Sequence, residues 1–285
     1  MNILLTGATG FIGSYCMKHG RYKKAIIPFS FQHDDIAHYD FSTIDTVIHL
    51  AALVHQMDGA DSTDYERINA TKTVQLARKA KENGVKQFIF MSTVKVYGEE
   101  SETRYAEITP CHPQDDYGKS KLHAEVELTQ FCDEDFTVSI IRTPIVYGAG
   151  VKGNIKNLID LIQKIPILPF GNTHNQRSMV YVGNLCALIE CVVQRRAEGI
   201  FLASDDTTLS TSEFIRKIAQ TSGKKLYLVN IPLFETLLKW VKPALYQRLY
   251  GNLTVDSTQT KAKLEFHNPY TTDEGIENMV KGNLQ

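Results

Sequence analysis

The sequence lacks the features that mark several common functions. No basic excess suggests nucleic acid: the formal net charge is −1, with 22% of the 285 residues charged. Five cysteines, Cys16, Cys111, Cys132, Cys186 and Cys191, make no C-x-x-C pair and no metal-ligand spacing. An odd, unpatterned set is what a reducing compartment tolerates, and it argues against a disulfide framework. His49, His55, His112 and His174 also lack ligand spacing, so no metal is expected. No apolar run approaches the roughly 20 residues needed to span a bilayer. An apolar run starts within two residues of Met1, which leaves no room for a signal peptide. Internal repeats, low-complexity tracts and long linkers are missing too. These absences point to a soluble cytoplasmic enzyme with a small-molecule substrate.

What is present lies in a few short runs. Residues 2–5 read as a buried parallel strand, and a turn with Gly7 and Gly10 follows at once, with Gly13 in the first turn of a helix. Glycine there reaches positive φ and keeps no Cβ between the backbone and a pyrophosphate. The helix N-terminus adds unpaired N–H groups and a positive dipole end. Helices are expected over Ile12–Arg21 and Asp64–Asn83, the second closed by Gly84. Strands are expected over Ala25–Ser30, Thr46–Leu50, Phe88–Met91 and Val138–Ile141. Small Ala51 and Ala52 follow one of these strands, and Ser92 and Thr93 end another, at the edge where open parallel sheets collect ligands.

Tyr117 and Lys121 are four residues apart and share one helical face, which Asp115 or Asp116 could cap. A free tyrosine, with a pKa of about 10, is a poor base at neutral pH. A nearby ammonium favours the phenolate, which makes this pair a candidate proton carrier. Beyond residue 150, helical segments at Asn154–Lys164, Ser212–Ser222 and Leu233–Lys242 alternate with short strands. The apolar stretch Ile231–Val241 reads as an amphipathic helix closing a substrate pocket in preference to one touching a membrane surface.

Together these runs resemble the extended short-chain dehydrogenase/reductase family, in its branch of nucleotide-sugar epimerases, dehydratases and ketoreductases. The resemblance runs nearly end to end, on Thr6–Gly13, Asp45–Ala52, Ser92-Thr93 with Val96-Tyr97-Gly98, Tyr117 with Lys121, and Arg177–Val182. It implies an α/β fold, a Rossmann-type doubly wound parallel sheet with a smaller C-terminal α/β substrate domain. The dinucleotide-binding domain would take residues 1–150, with 178–204 returning to it, and the substrate domain 151–177 and 205–285.

The same resemblance implies NAD or NADP, with its phosphates on Gly7, Gly10, Phe11, Ile12 and Gly13 and its adenine on Asp40 and Phe41. Leu50, Ala51, Ala52, Asn69, Ser92, Pro144, Tyr117 and Lys121 would line the rest of the cofactor, and Thr93, Tyr117 and Lys121 would be catalytic. Asn154 and Arg177 fall on the family's nucleotide-diphosphate positions, and Arg248 stands in for an Arg-x-Gly-Asp stretch that this chain lacks. A UDP-linked sugar substrate and a homodimer are implied as well.

Two departures matter. Only about fifteen residues separate Ser30 from the strand at Thr46, so the adenine side is trimmed, and no unambiguous acid or arginine marks the end of strand two. Val94 and Lys95 stand where a dehydratase needs an acid and a base, which disfavours dehydration. Closest in pattern are the reductases of UDP-4-keto-6-deoxy-N-acetylhexosamines in surface-polysaccharide synthesis. A UDP-sugar 4-epimerase with tightly held NAD is the alternative, and a catalytically weak NAD(P)-binding sensor is the second.

Overall fold

A computed structural model describes residues 1–54, 61–171 and 173–284; His55 lies outside the described residues. The chain opens with β1 (Ile3–Thr6), α1 (Phe11–His19), β2 (Ile26–Phe29) and β3 (Thr46–His49). Next come α2 (Ser62–Tyr65), a π turn (Glu66–Thr71), α3 (Lys72–Glu82), β4 (Gln87–Thr93), a 3-10 turn (Val94–Val96), α4 (Asp116–Thr129) and β5 (Thr137–Thr143). The remainder runs β6 (Ile145–Tyr147), α5 (Asn154–Lys164), β7 (Ile167–Leu168), β8 (Met179–Tyr181), α6 (Val182–Arg195) and β9 (Gly199–Leu202). It ends with α7 (Thr211–Thr221), β10 (Tyr227–Leu228), α8 (Phe234–Val241), α9 (Pro243–Tyr250), α10 (Thr258–Leu264) and α11 (Thr272–Leu284).

Six parallel strands form one sheet in the order β2-β1-β3-β4-β5-β9, the doubly wound arrangement expected. Alternation along each strand explains its two covered faces. Ile3, Leu5, Ile48, Ile89 and Met91 pack with Leu185, Leu188, Ile189 and Val192 of α6. Leu4, Val47, Phe88 and Phe90 pack on the other side with Leu76 and Ala80 of α3 and Ala124 and Leu128 of α4. Strands buried on both faces are largely apolar, and the polar side chains within them have buried partners, as His49 and Arg142 do. A third core joins α5, α7 and α11 through Ile159, Ile162, Ile215, Ile218, Met279 and Val280.

The switch in strand order falls at β1, whose neighbours are β2 on one side and β3 on the other. Beyond β2 the sheet ends, and only turns connect Ser30 to β3, as the short spacing between them implies. The helix expected over Asp64–Asn83 is interrupted by the π turn at Glu66–Thr71, a feature that widens the backbone by one residue and gathers at functional sites. Helix α1 stops at His19 because Gly20 leaves helical dihedrals at ψ 146.

Phe41, in the turns before β3, is wholly buried and packs with Tyr39 at a ring separation of 5.1 Å. Tyr39 in turn meets Phe29 at 5.1 Å, so this aromatic set closes the free edge of the sheet. Truncating a buried phenylalanine loses its transfer free energy and leaves a cavity. Phe41→Ala is therefore expected to lower unfolding stability by about 3–5 kcal/mol, read from urea denaturation.

Candidate functional site

At the carboxyl end of β1, Gly7 takes φ 70, and a Cβ there would sit 2.8 Å from the Ala51 nitrogen just past β3. A Cβ on Gly13 would fall 2.2 Å from the Gly7 carbonyl oxygen. Both glycines thus let α1 start against the turn, with Gly10 as its N-cap and Phe11 and Ile12 as its first residues. The first amides of α1 point out of the helix without intrahelical partners. This cradle, closed to any side chain larger than hydrogen, fits a dinucleotide pyrophosphate.

The register Thr6↔Phe29 sets the end of β2 beside this turn. There the Asp34 carboxylate folds back and accepts the Ser30 N–H at 2.7 Å. The sequence shows no acid at Ser30 itself; a tight turn, closed by Asp34 N–H to Ser30 O at 2.7 Å, brings one back. Asp40 is exposed and accepts the Ser42 N–H at 2.9 Å, while Phe41 serves the core described above.

A buried polar chain ties the cradle to the π turn. Thr6 Oγ1 accepts the Ala51 N–H at 3.1 Å and lies 2.8 Å from His49 Nδ1. His49 Nε2 lies 2.9 Å from Thr73 Oγ1, which donates to the Asn69 carbonyl at 2.8 Å. One assignment satisfies every member: Thr6 donates to Nδ1 of a neutral ring, and Nε2–H donates to Thr73. Burial, with the Lys121 charge nearby, holds the His49 pKa down at about 3, so the ring stays neutral. Asn69 then clamps the strand-three exit: its Oδ1 accepts the Leu53 N–H at 2.8 Å, and its Nδ2 donates to Leu53 O at 3.0 Å and to Ser120 Oγ at 3.1 Å.

Helix α4 carries the proton-handling pair. Asp115 is its N-cap, with the carboxylate accepting the Gly118 N–H at 2.7 Å. Lys95, two residues after Thr93, reaches Asp115 Oδ2 at 2.5 Å and Glu99 Oε1 at 2.8 Å. Gly118 makes the approach possible, since a Cβ there would lie 2.9 Å from the Lys95 carbonyl. The first turn of α4, bearing Tyr117, is thereby pressed against the turn that follows Thr93. Tyr117 is half-buried, with the Tyr65 ring 6.3 Å away, and burial and the Asp115 charge push its pKa up. Lys121 is buried, its ammonium 4.1 Å from the Phe90 ring centroid. Desolvation pulls its pKa down to about 7, and Glu125, one turn on, opposes that fall.

Glu125 forms the other half of a buried ion pair. Arg142 Nε lies 3.1 Å from both of its oxygens and Nη2 lies 2.5 Å from Oε2, with both side chains almost wholly buried. Ser92 donates to Glu125 Oε1, so the Ser92 hydroxyl is spent within the protein. Pro144 is buried directly after β5. Neither Glu125 nor Arg142 was singled out by motif. The available signal was an arginine directly after the strand expected over Val138–Ile141, which can be buried only with a partner.

Among the substrate candidates, Arg177 and Arg248 come together. Arg177 Nη1 donates to Gly251 O at 3.1 Å and Gln247 O at 3.4 Å, closing the C-terminus of α9. Burial lowers the Arg177 pKa, and the Arg248 charge adds to that effect against Glu99 and Glu100. Its Nε is buried without a hydrogen-bond partner. Asn154 stands at the exposed start of α5.

Known proteins resemble this chain in sequence and in fold. The model of the NAD dependent epimerase/dehydratase family matches residues 32–202. A UDP-glucose 4-epimerase of Vibrio cholerae is 35% identical, with 100% of this chain and 96% of that protein aligned. An N-acetyl-alpha-D-glucosaminyl-diphospho-ditrans,octacis-undecaprenol 4-epimerase of Escherichia coli O157:H7 is 28% identical over 81% of this chain and 75% of its own length. Among solved structures, a UDP-glucuronic acid 4-epimerase from Bacillus cereus in complex with NAD shares the fold at a TM-score of 0.80 and 21% identity, covering 100% of this chain and 99% of that one.

The Lys121 ammonium exists below its folded pKa and is lost above it. With that pKa at about 7, half the charge is gone near neutrality, and Glu125 is the group that keeps it from falling further. Glu125→Gln should therefore move the Lys121 titration to lower pH, while the amide still accepts from Ser92. NMR of lysine labelled at Cε reads this directly; a titration near the ordinary lysine value of about 10.4 in either protein overturns the assignment.

Proposed function

The chain belongs to the NAD dependent epimerase/dehydratase family, and from that premise we propose that it is a UDP-sugar 4-epimerase. One observation sets hydride and proton transfer at C4 above dehydration. Thr93 and the Tyr117–Lys121 helix are pressed together at the sheet edge, while the dehydratase positions hold Val94 and a Lys95 already committed to Asp115 and Glu99. The reductase reading uses the same residues; the relative aligned along the whole chain carries the name of an epimerase, and this weighs for the second reaction.

Gly7, Gly10, Phe11, Ile12 and Gly13 would hold the pyrophosphate of a nicotinamide dinucleotide, and Ala51, Ala52 and Lys121 would line the rest of it. Bound nicotinamide supplies a hydride acceptor for the sugar C4 and a donor for its return to the opposite face. Tyr117 takes the proton of the C4 hydroxyl as the carbonyl forms and gives it back as the alcohol re-forms. Thr93 hydrogen-bonds the same oxygen, and the charged form of Lys121 favours the phenolate. Arg177 and Arg248, with Asn154, hold the diphosphate, as paired cations suit two phosphates. The Asp34 carboxylate at the end of β2 selects NAD, because it accepts from a ribose diol and repels a 2′-phosphate.

Incubation with UDP-glucose or UDP-N-acetylglucosamine and NAD should yield the 4-epimer, resolved by proton NMR, with no net change in NADH absorbance. Stoichiometric NADH consumption on a UDP-4-keto sugar without epimerisation would select the reductase. Tyr117→Phe should cut turnover by about 10²- to 10⁴-fold and leave NAD affinity nearly unchanged. Asp34→Ala should erase roughly a tenfold preference for NAD over NADP, measured as the ratio of their dissociation constants.

A further inference from the structure

Exposed apolar side chains are gathered at one place. Of the fifteen large hydrophobic residues exposed among the described residues, nine lie within 165–167 and 227–245, so the cluster is a surface and not scatter. Ile167 and Tyr227 are register partners in the small sheet β7–β10, and α8 follows directly. Helix α8 buries no residue fully, yet it is apolar on two sides. Phe234 and Leu238, one turn apart, are half-buried, with Phe234 meeting the Phe170 ring at 6.2 Å. Leu233, Leu237 and Trp240 follow the spacing i, i+4, i+7 on another face and are 80%, 61% and 89% exposed. The inward face is taken up by packing such as that of Phe234 on Phe170, and the outward stripe lies apart from it.

Leu233 sharpens the point. It holds a left-handed conformation at φ 65, which is costly for a bulky residue, and in this chain alone it gains no burial in return. The charge around the stripe is one-sided. Residues 224–242 contain Lys224, Lys225, Lys239 and Lys242 against the single acid Glu235, in a chain whose formal charge is −1. Two copies meeting through this face would oppose cation to cation, whereas an anionic lipid surface complements it.

We propose that the β7–β10 edge and α8 form a docking surface for an anionic lipid bilayer, with Leu233, Leu237 and Trp240 entering the headgroup region and the lysines meeting lipid phosphates. Such a helix lies in the interface plane, and tryptophan is the side chain best suited to that depth. Leu233, Leu237 and Trp240 are none of the residues assigned to the cradle, to proton transfer or to the diphosphate, so docking and catalysis can be read apart.

The chain has one tryptophan, which makes Trp240 its own reporter. Mixed phosphatidylglycerol–phosphatidylcholine vesicles should shift its emission to the blue and carry the protein into the pellet. Pure phosphatidylcholine should do so much less, and salt should weaken the binding. Leu237→Glu keeps the reporter and should weaken vesicle binding roughly 10- to 100-fold, with sugar-nucleotide turnover in solution unchanged. Lys239→Glu should reduce binding to anionic vesicles alone. Unchanged Trp240 emission and no sedimentation with either vesicle overturn the proposal. So does a blue shift that needs no lipid and grows with protein concentration, which would give the face to a second copy of the chain.

Discussion

Glu125 is the group on which the site's geometry rests. It sits on α4, takes the Ser92 hydroxyl from β4 and pairs with Arg142 from β5. Those three elements deliver Tyr117 and Lys121, Thr93, and Pro144. A buried ion pair adds little net stability over apolar packing, because desolvating both charges offsets their attraction. Separating the partners is another matter, since an uncompensated buried charge costs roughly 3–5 kcal/mol. The pair therefore acts as a register pin: any slide of α4 along the sheet would strand a charge, so the helix has one seat. At the other end of the same helix, Lys95 holds the Asp115 cap, and Gly118 removes the Cβ that would stop the approach.

The π turn solves a second positioning problem. An ordinary helix through Glu66–Thr71 would aim Asn69 by the 3.6-residue repeat, while the extra residue in the turn re-aims it. Asn69 is then able to satisfy both the N–H and the carbonyl of Leu53 and still reach Ser120. The chain from Thr6 through His49 and Thr73 to the Asn69 carbonyl connects this clamp to the glycine turn. Every donor in it has an acceptor, which is the condition for a buried network to specify one arrangement instead of several. Neutral His49 is a requirement of that network, and its depressed pKa follows from the burial that the network needs.

Local chemistry made the frame legible in the sequence. The apolar runs at 2–5, 46–50 and 88–91 and the glycines at 7, 10 and 13 fix strand, turn and helix through backbone sterics and burial, which need no distant information. Tyr117 and Lys121 were legible for the same reason, as a spacing on one helix. Groups joined across long separations were not. Glu125 and Arg142 are 17 residues apart on different elements, and Lys95 and Asp115 are 20 apart. Asp34 was hidden by a turn that returns an acid to a strand end four residues earlier. The π turn left no trace because its cause is the tertiary clamp on Asn69, not a residue preference. The second apolar face of α8 was not legible, since an apolar run shows amphipathicity without showing which side finds a partner.

The electrostatic state of the site follows from this construction. Burial raises the Tyr117 pKa and lowers that of Lys121, so desolvation pushes both toward their neutral forms. A permanent phenolate–ammonium pair would require the low-dielectric pocket to hold two charges at rest, which desolvation opposes. Glu125 opposes that fall at Lys121, so more of the ammonium survives beside the helix face of Tyr117 than burial alone would leave. Thus the buried carboxylate that seats α4 also sets the charge available beside Tyr117. Geometry and acidity at this site are held by the same atoms.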